Sequence, residues 1–137
     1  MANKNSLEQG RAAFAYECAT KGSGLGKRKE YKSYAKKLPM LIKVNGVGAA
    51  IAFVFAKGSK NGTPNVDDPW GLIYIQLEQW IKKDNKGLIA FDNNKLAQAL
   101  IETDSYTYRH VTIELLAFLS WLKRFSEALI DGEADQN

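Results

Sequence analysis

The side chains best placed to do chemistry in this 137-residue chain are ammonium and guanidinium groups rather than nucleophiles. Between Lys21 and Lys43 stand eight basic residues (Lys21, Lys27, Arg28, Lys29, Lys32, Lys36, Lys37 and Lys43) and one acid, Glu30. The whole chain carries a net charge of only +4, so the remainder is mildly acidic, and its last eleven residues hold four acids and no base. A concentrated patch of positive charge recruits polyanions, whereas charge spread evenly mainly serves solubility. Lysines sharing one helical face can neutralise phosphates and release their counterions, giving an affinity that ignores sequence and falls with salt. The plainer reading of such a face is a solvated surface. Seven net positive charges within 23 residues exceed what solubility requires.

Catalytic groups are harder to assemble. His110 is the single histidine, and no cluster of cysteine, histidine or acid surrounds it as a zinc site would need. Glu114 lies one turn later and suits a local contact with His110 on the helix surface. A general base at His110 would need distant residues to gather around it. Cys18 is the sole cysteine, so no internal disulfide or cysteine cage forms, and its place on the apolar side of a helix suits the core better than nucleophilic attack. The run Gly22-Ser23-Gly24-Leu25-Gly26 fails as a phosphate loop. Gly22 to Lys27 is one residue short of the P-loop spacing, Arg28 replaces the required hydroxyl, and a helix rather than a strand precedes it. A dinucleotide fingerprint fails because the third glycine comes one place early, which leaves a flexible connector. Asp67-Asp68 is accounted for as a helix start, where negative charge faces free N–H groups. No catalytic residue, metal or cofactor is expected.

The elements that must position the lysines are helical throughout. A first helix from about Asn5 or Ser6 carries Leu7, Phe14, Ala15 and Cys18 at helical spacing and stops at the glycines. A second, from about Lys27 to Lys37, sets Lys29, Lys32 and Lys36 on one face. Tyr31, Tyr34 and Leu38 lie on the opposite face, which assigns both tyrosines to the core rather than to stacking on bases. Pro39 suits the first turn of a third, buried helix. Asn45-Gly46 offers a hairpin instead, but the next residues, Gly48-Ala49-Ala50, form strands poorly, and helix is favoured. Small residues at Gly46/Ala50 and Gly48/Ala52 would then admit a neighbouring backbone. A loop covers Lys57 to Asp68, and Asp68 and Pro69 open a fourth helix with the stripe Trp70, Ile73, Leu77 and Trp80, closed by Gly87. A shorter helix runs from Asp92 to Glu102. The last helix carries Tyr108, Val111, Leu115, Phe118, Leu122, Phe125 and Leu129. Ile113, Leu116, Leu119 and Trp121 add apolar groups on its other sides, so it is buried in the domain or against a partner. The expectation is an all-α, single-domain bundle of five to six helices over residues 1–137, with a polar, frayed tail from about 131. The N-terminus lacks a secretory h-region, and the longest uncharged stretch, Val44 to Ala56, is too short to span a bilayer. A cytoplasmic protein is expected.

The segment from Tyr31 through Lys37-Leu38-Pro39 and Leu41-Ile42 to Asn45-Gly46 resembles a family signature, Y-x-x-x-x-K-x-L-P-x-L-I-x-x-N-G-L, with Val47 in the last place. The family is that of the small helical subunit of Cmr-type (type III-B) CRISPR RNA-targeting complexes. Arg11-Ala12-Ala13-Phe14-Ala15 is similar to its opening. Leu116 to Phe125 is similar to its closing A-F-L-x-W-L-K-R motif, with Ser126 where alanine is common. The similarity runs in order from Arg11 to Ala128. It implies an all-α fold without catalysis, in a protein that stacks as a short filament beside the guide-RNA-bound backbone and helps hold guide and target RNA. The implied partners are guide and target RNA, the large subunit, the backbone subunits and further copies of the same chain.

Residues and resemblance together give an expected RNA-backbone interface of Lys27, Arg28, Lys29, Lys32, Lys36, Lys37 and Lys43. Arg109, Lys123 and Arg124 are lesser candidates, opposite the apolar stripe of the last helix. Contacts of this kind position RNA without reading its bases. The alternative is a protein–protein interaction module without RNA contact, its lysines facing an acidic surface such as a neighbour's tail.

Overall fold

A computed structural model describes residues 4–83 and 89–133, and it is an all-α bundle. Among the described residues six helices succeed one another: α1 (Lys4–Ser23), α2 (Arg28–Asn45), α3 (Val47–Gly58), α4 (Pro69–Lys83), α5 (Leu96–Glu102) and α6 (Ser105–Leu129). A two-stranded hairpin, β1 (Ser59–Lys60) and β2 (Thr63–Pro64), interrupts them. α6 packs along α1 and α2, and α3 packs on α4.

The expected break at Pro39 does not occur. α2 runs through it, although proline deprives the Ala35 carbonyl of its helical donor. What keeps the helix going is one uninterrupted buried stripe, Tyr31, Ala35, Leu38 and Ile42, which a break would split. The helix ends instead at Gly46, whose φ of +88° is open to glycine and costly for other residues. Gly46 N donates to Ile42 O at 2.8 Å, and Ala50 N donates to Gly46 O at 3.0 Å, so α3 restarts at once. Asn45-Gly46 is thus a corner between helices, and the favoured helical reading of the stretch after it holds. The hairpin forms at the other Asn-Gly pair, inside the expected loop. Asn61 and Gly62 both have positive φ, 55° and 80°, which suits a tight turn between antiparallel strands paired Ser59 to Pro64 and Lys60 to Thr63.

α4 begins as read from sequence: Asp68 Oδ2 accepts from Trp70 N at 3.0 Å and Gly71 N at 3.2 Å. Trp70, Ile73, Leu77 and Trp80 are all buried, while Gly87, the expected stop, lies outside the described residues. α5 is shorter than expected. Asn94 stands at φ +68° before it, and the buried Glu78 carboxylate accepts from Asn94 N and Leu96 N. α6 opens on Asp104, whose side chain accepts from Thr107 N at 2.7 Å. Of its expected stripe, Val111, Leu115, Phe118 and Leu122 are fully buried, with Leu119 beside them, whereas Tyr108 and Phe125 are half-buried and Leu129 is exposed. Ile113 is 58% exposed. Phe118 stacks on Trp80, which stacks on Phe14, so one aromatic column ties α6, α4 and α1.

Close backbone approach falls where the sequence did not point. A Cβ on Gly58 would lie 2.2 Å from Gly71 N, and one on Gly71 would lie 2.0 Å from Asn65 O. At Gly48 the visitor is a side chain: Tyr108 Oη accepts from Gly48 N at 2.8 Å.

Candidate nucleic-acid interface

The continuity of α2 through Pro39 decides how its basic residues line up. At about 100° per residue, Lys29, Lys32, Lys36 and Lys43 fall within an arc of about 60°, roughly a third of a turn from the buried stripe. Lys43 joins the strip only because the helix is unbroken: positions 29, 36 and 43 succeed one another at nearly two turns. The strip is roughly 20 Å long at the α-helical rise. Lys29, Lys36 and Lys43 are exposed and Lys32 is half-buried. Lys27 occupies the cap position and Arg28 the first turn, both exposed, and no side chain caps the N–H groups there. A helix start of this kind favours anions.

Lys37 departs from the strip. It stands on the flank that bears Tyr34, its Nζ 6.0 Å from the centre of that ring. The two tyrosines also part company. Tyr31 is fully buried, its hydroxyl 2.6 Å from Gln76 Oε1, and burial pushes its pKa well up. Tyr34 is only half-buried and stacks at 4.1 Å on Trp70, so it borders the surface instead of filling the core.

α6 lies antiparallel on α2. Near its start Tyr108 meets Gly48, just beyond the end of α2. At its far end Ile130 O accepts from Lys32 Nζ at 3.1 Å, near the beginning of α2. Lys32, Ser33, Lys36 and Lys37 therefore share a cavity of about 540 Å³ with Glu127 and Glu133. Lys123, one helical turn before Glu127, is placed toward that side by register. Arg124 is turned toward α1, over the Trp121 ring at 5.3 Å, and Trp121 Nε1 donates to Glu8 Oε2 at 3.3 Å. Arg109 is exposed near the other end of α6. The fold thus gathers Lys29, Lys32, Lys36 and Lys43, adds Lys123 by register, and sets Arg109 and Arg124 apart.

Sequence reasoning missed two features of this surface. One is the acidic wall of Glu127 and Glu133, which becomes a neighbour of the lysines only through the antiparallel packing of α2 and α6. The other is a second basic cluster. Lys21 joins Lys82 and Lys83, from the last turn of α4, around the half-buried Phe14 ring, with Lys83 Nζ 5.0 Å from its centre and Glu17 as the one acid among them. The available signal was the pair of adjacent lysines at a helix end, where positive charge also complements the helix dipole.

The groups weighed for catalysis take other places. Cys18 is buried, and burial pushes its thiol up to about 12, so it stays protonated and unreactive. The His110 ring packs against Tyr106 at 4.4 Å. Glu114 does not sit on the helix surface as expected. It is 1% exposed and accepts from Arg11 and from Trp80 Nε1. The glycine run uses its amides in turns, Gly24 N to Lys21 O and Leu25 N to Gly22 O. It is no loose connector either, because Gly22 is buried beneath the Tyr31 ring. Among the described residues no group of three or more His, Cys, Asp or Glu could hold a metal ion. Nor is any described helix long and apolar enough to cross a membrane.

Comparison with known proteins agrees with the resemblance read from the sequence. Residues 7–129 match the family model described as CRISPR-associated protein (Cas_Cmr5). A relative from Thermus thermophilus, named CRISPR system Cmr subunit Cmr5, is 32% identical over 114 residues, covering 82% of this chain and 83% of that protein. The crystal structure of a CRISPR-associated Cmr5 family protein from Thermus thermophilus superposes with a TM-score of 0.72 at 30% identity, over 96% of this chain and 100% of the other. By sequence and by fold, the chain belongs to the Cmr5 family of CRISPR-associated proteins.

Proposed function

We propose that this protein is a non-catalytic small subunit of a cytoplasmic type III-B CRISPR ribonucleoprotein effector complex, acting in antiviral defence. In this reading it stacks with further copies of itself beside the large and backbone subunits and holds guide or target RNA by its phosphates. The observation that carries the reading is the strip Lys29, Lys32, Lys36 and Lys43 on one continuous helix, at a helix start that lacks a side-chain cap. Ammonium groups in a row neutralise a polyanion without reading sequence, as a scaffold for variable guides requires. The named relative is a subunit of the Cmr system, which supports the assembly. The test is photo-crosslinking in the assembled complex with 4-thiouridine placed along guide and target strands. Crosslinked peptides from Arg28–Asn45 support the reading, and their absence at every placement would reject it.

A protein contact draws support from another part of the surface. Gly48, Ala49, Ala52, Leu100, Ile101 and Tyr108 line a groove of about 580 Å³, and Ile101, Tyr106 and Ile113 are 74%, 71% and 58% exposed. Ile101 lines the groove itself, and exposed apolar side chains of this kind suit a subunit contact. That contact would be compatible with RNA held at α2.

A further inference from the structure

The lysine strip is not bare. Two contacts and a shared cavity bring residues 127–133 onto it. Lys32 Nζ donates to the carbonyl of Ile130, the residue that ends α6. The Lys29 side chain lies against Gly132, its Cε 3.0 Å and its Nζ 3.3 Å from where a Cβ on that glycine would stand. Glu127 and Glu133 then line, with Lys32, Lys36 and Lys37, the cavity between α2 and the end of α6. Gly132 has φ +84°, a turn that carries the chain back over the helix and brings Glu133 to this cavity.

Carboxylates and phosphodiesters ask the same thing of an ammonium group, so near the same lysines they compete. We propose that Glu127 and Glu133 form a built-in electrostatic competitor for RNA phosphates at the lysine strip, lowering the affinity of this face for RNA. An incoming strand must take Lys32 from the Ile130 carbonyl and lie in the field of the two glutamates that share a cavity with Lys36 and Lys37. A strand held in place by other parts of an assembly supplies phosphates at high effective concentration and makes the exchange. A free strand, binding only here, bears the full electrostatic cost. The inference rests on the reading that this strip contacts RNA.

The experiment crosses two sets of substitutions in the full chain. One is Glu127→Gln with Glu133→Gln; the other is Lys29→Ala with Lys32→Ala, Lys36→Ala and Lys37→Ala. The probe is fluorescent single-stranded oligouridylate, titrated at low and at high salt, with thermal melting as a check on folding. Neutralising the acids is expected to tighten binding roughly three- to thirty-fold at low salt, since each such exposed charge contact is weak. The gain should shrink toward nothing near ~1 M salt, where screening reaches about 3 Å. With those four lysines removed, the same two acid substitutions should gain nothing. Unchanged affinity on neutralising the acids, with loss on removing the lysines, overturns the competitor and leaves the RNA interface standing. A gain that survives without the lysines also overturns it, because the acids then act elsewhere. If removing the lysines changes nothing, the interface falls and the competitor with it.

Discussion

The guanidinium of Arg11 on α1 grips the carboxylate of Glu114 on α6 with two hydrogen bonds, Nε to Oε2 at 2.8 Å and Nη2 to Oε1 at 2.9 Å. Trp80 Nε1 on α4 adds a third at 2.9 Å, and Arg11 also pairs with Glu8 on its own helix. One buried carboxylate thus ties three helices behind the lysine-bearing surface, and its hydrogen bonds raise the pKa of Arg11 further, keeping it charged. Arg11→Ala leaves the Glu114 carboxylate in the interior without its guanidinium, at a cost of about 3–5 kcal/mol. Glu114→Gln keeps an acceptor for Trp80 and should cost less, about 1–3 kcal/mol. Urea unfolding of both variants checks the order, and a loss below about 1 kcal/mol for Arg11→Ala would contradict this account.

Two glycines in the same short run should answer oppositely to alanine. A Cβ on Gly22 would lie 2.2 Å from Tyr31 Cε1, whereas nothing stands within 4 Å of one on Gly26. Gly22→Ala should lose about 1–3 kcal/mol through overpacking. Gly26→Ala should be neutral or gain about 0.4–1 kcal/mol by restricting the unfolded chain. Thermal melting distinguishes them, and equal effects would mean that Tyr31 is not seated on Gly22.

Ser126 is fully buried on α6, and its hydroxyl has no hydrogen-bond partner. Ser126→Ala removes a desolvated polar group while leaving the packing nearly intact, and should stabilise the protein by about 1 kcal/mol. A fall in the urea midpoint would show that the hydroxyl has a partner after all.

Two groups set pH limits of opposite sign. Burial raises the Cys18 thiol to about 12 from an ordinary 9.0. Its contribution is therefore whole below pH 9 and drains away as pH climbs toward 12, because only the unfolded thiol ionises in that interval. Hydrogen bonds from Thr107 hold Asp104 below its ordinary 3.8. Its cap on α6 is fully effective above that value and is lost as pH falls through the lowered pKa. Stability measured against pH for wild type, Cys18→Ala and Asp104→Ala should show the first variant departing in slope only in alkali and the second only in acid.

What the sequence revealed depended on the range of the interactions. The α6 stripe, the Asp68 cap and the spacing of Lys29, Lys32 and Lys36 are local periodicities or near-neighbour contacts, and all could be read directly. Pro39 misled because a local rule about proline yielded to a buried stripe that runs on either side of it. Glu78 capping α5 and Glu114 holding Arg11 link residues far apart in sequence, and in the chain each looks like an ordinary surface acid. Tyr34 and Tyr31 share a helix and a residue type. Packing of α4 separates them, since Trp70 stacks on the Tyr34 ring and Gln76 accepts from the Tyr31 hydroxyl. The basic strip was legible and its acidic neighbour was not, because only the antiparallel course of α6 brings Glu127 back to Lys36.

The central claim is that the α2 lysines face RNA phosphates, and the salt dependence of RNA binding by the assembled complex tests it most directly. Lys29→Ala, Lys32→Ala and Lys36→Ala together should flatten the slope of log affinity against log salt by about two, at roughly 0.7 per single-strand contact. A charge-matched control, Lys57→Ala with Lys60→Ala and Lys95→Ala, removes exposed lysines lying outside α2 and should leave the slope where it was. Equal slopes for wild type and the α2 triple variant would contradict the account.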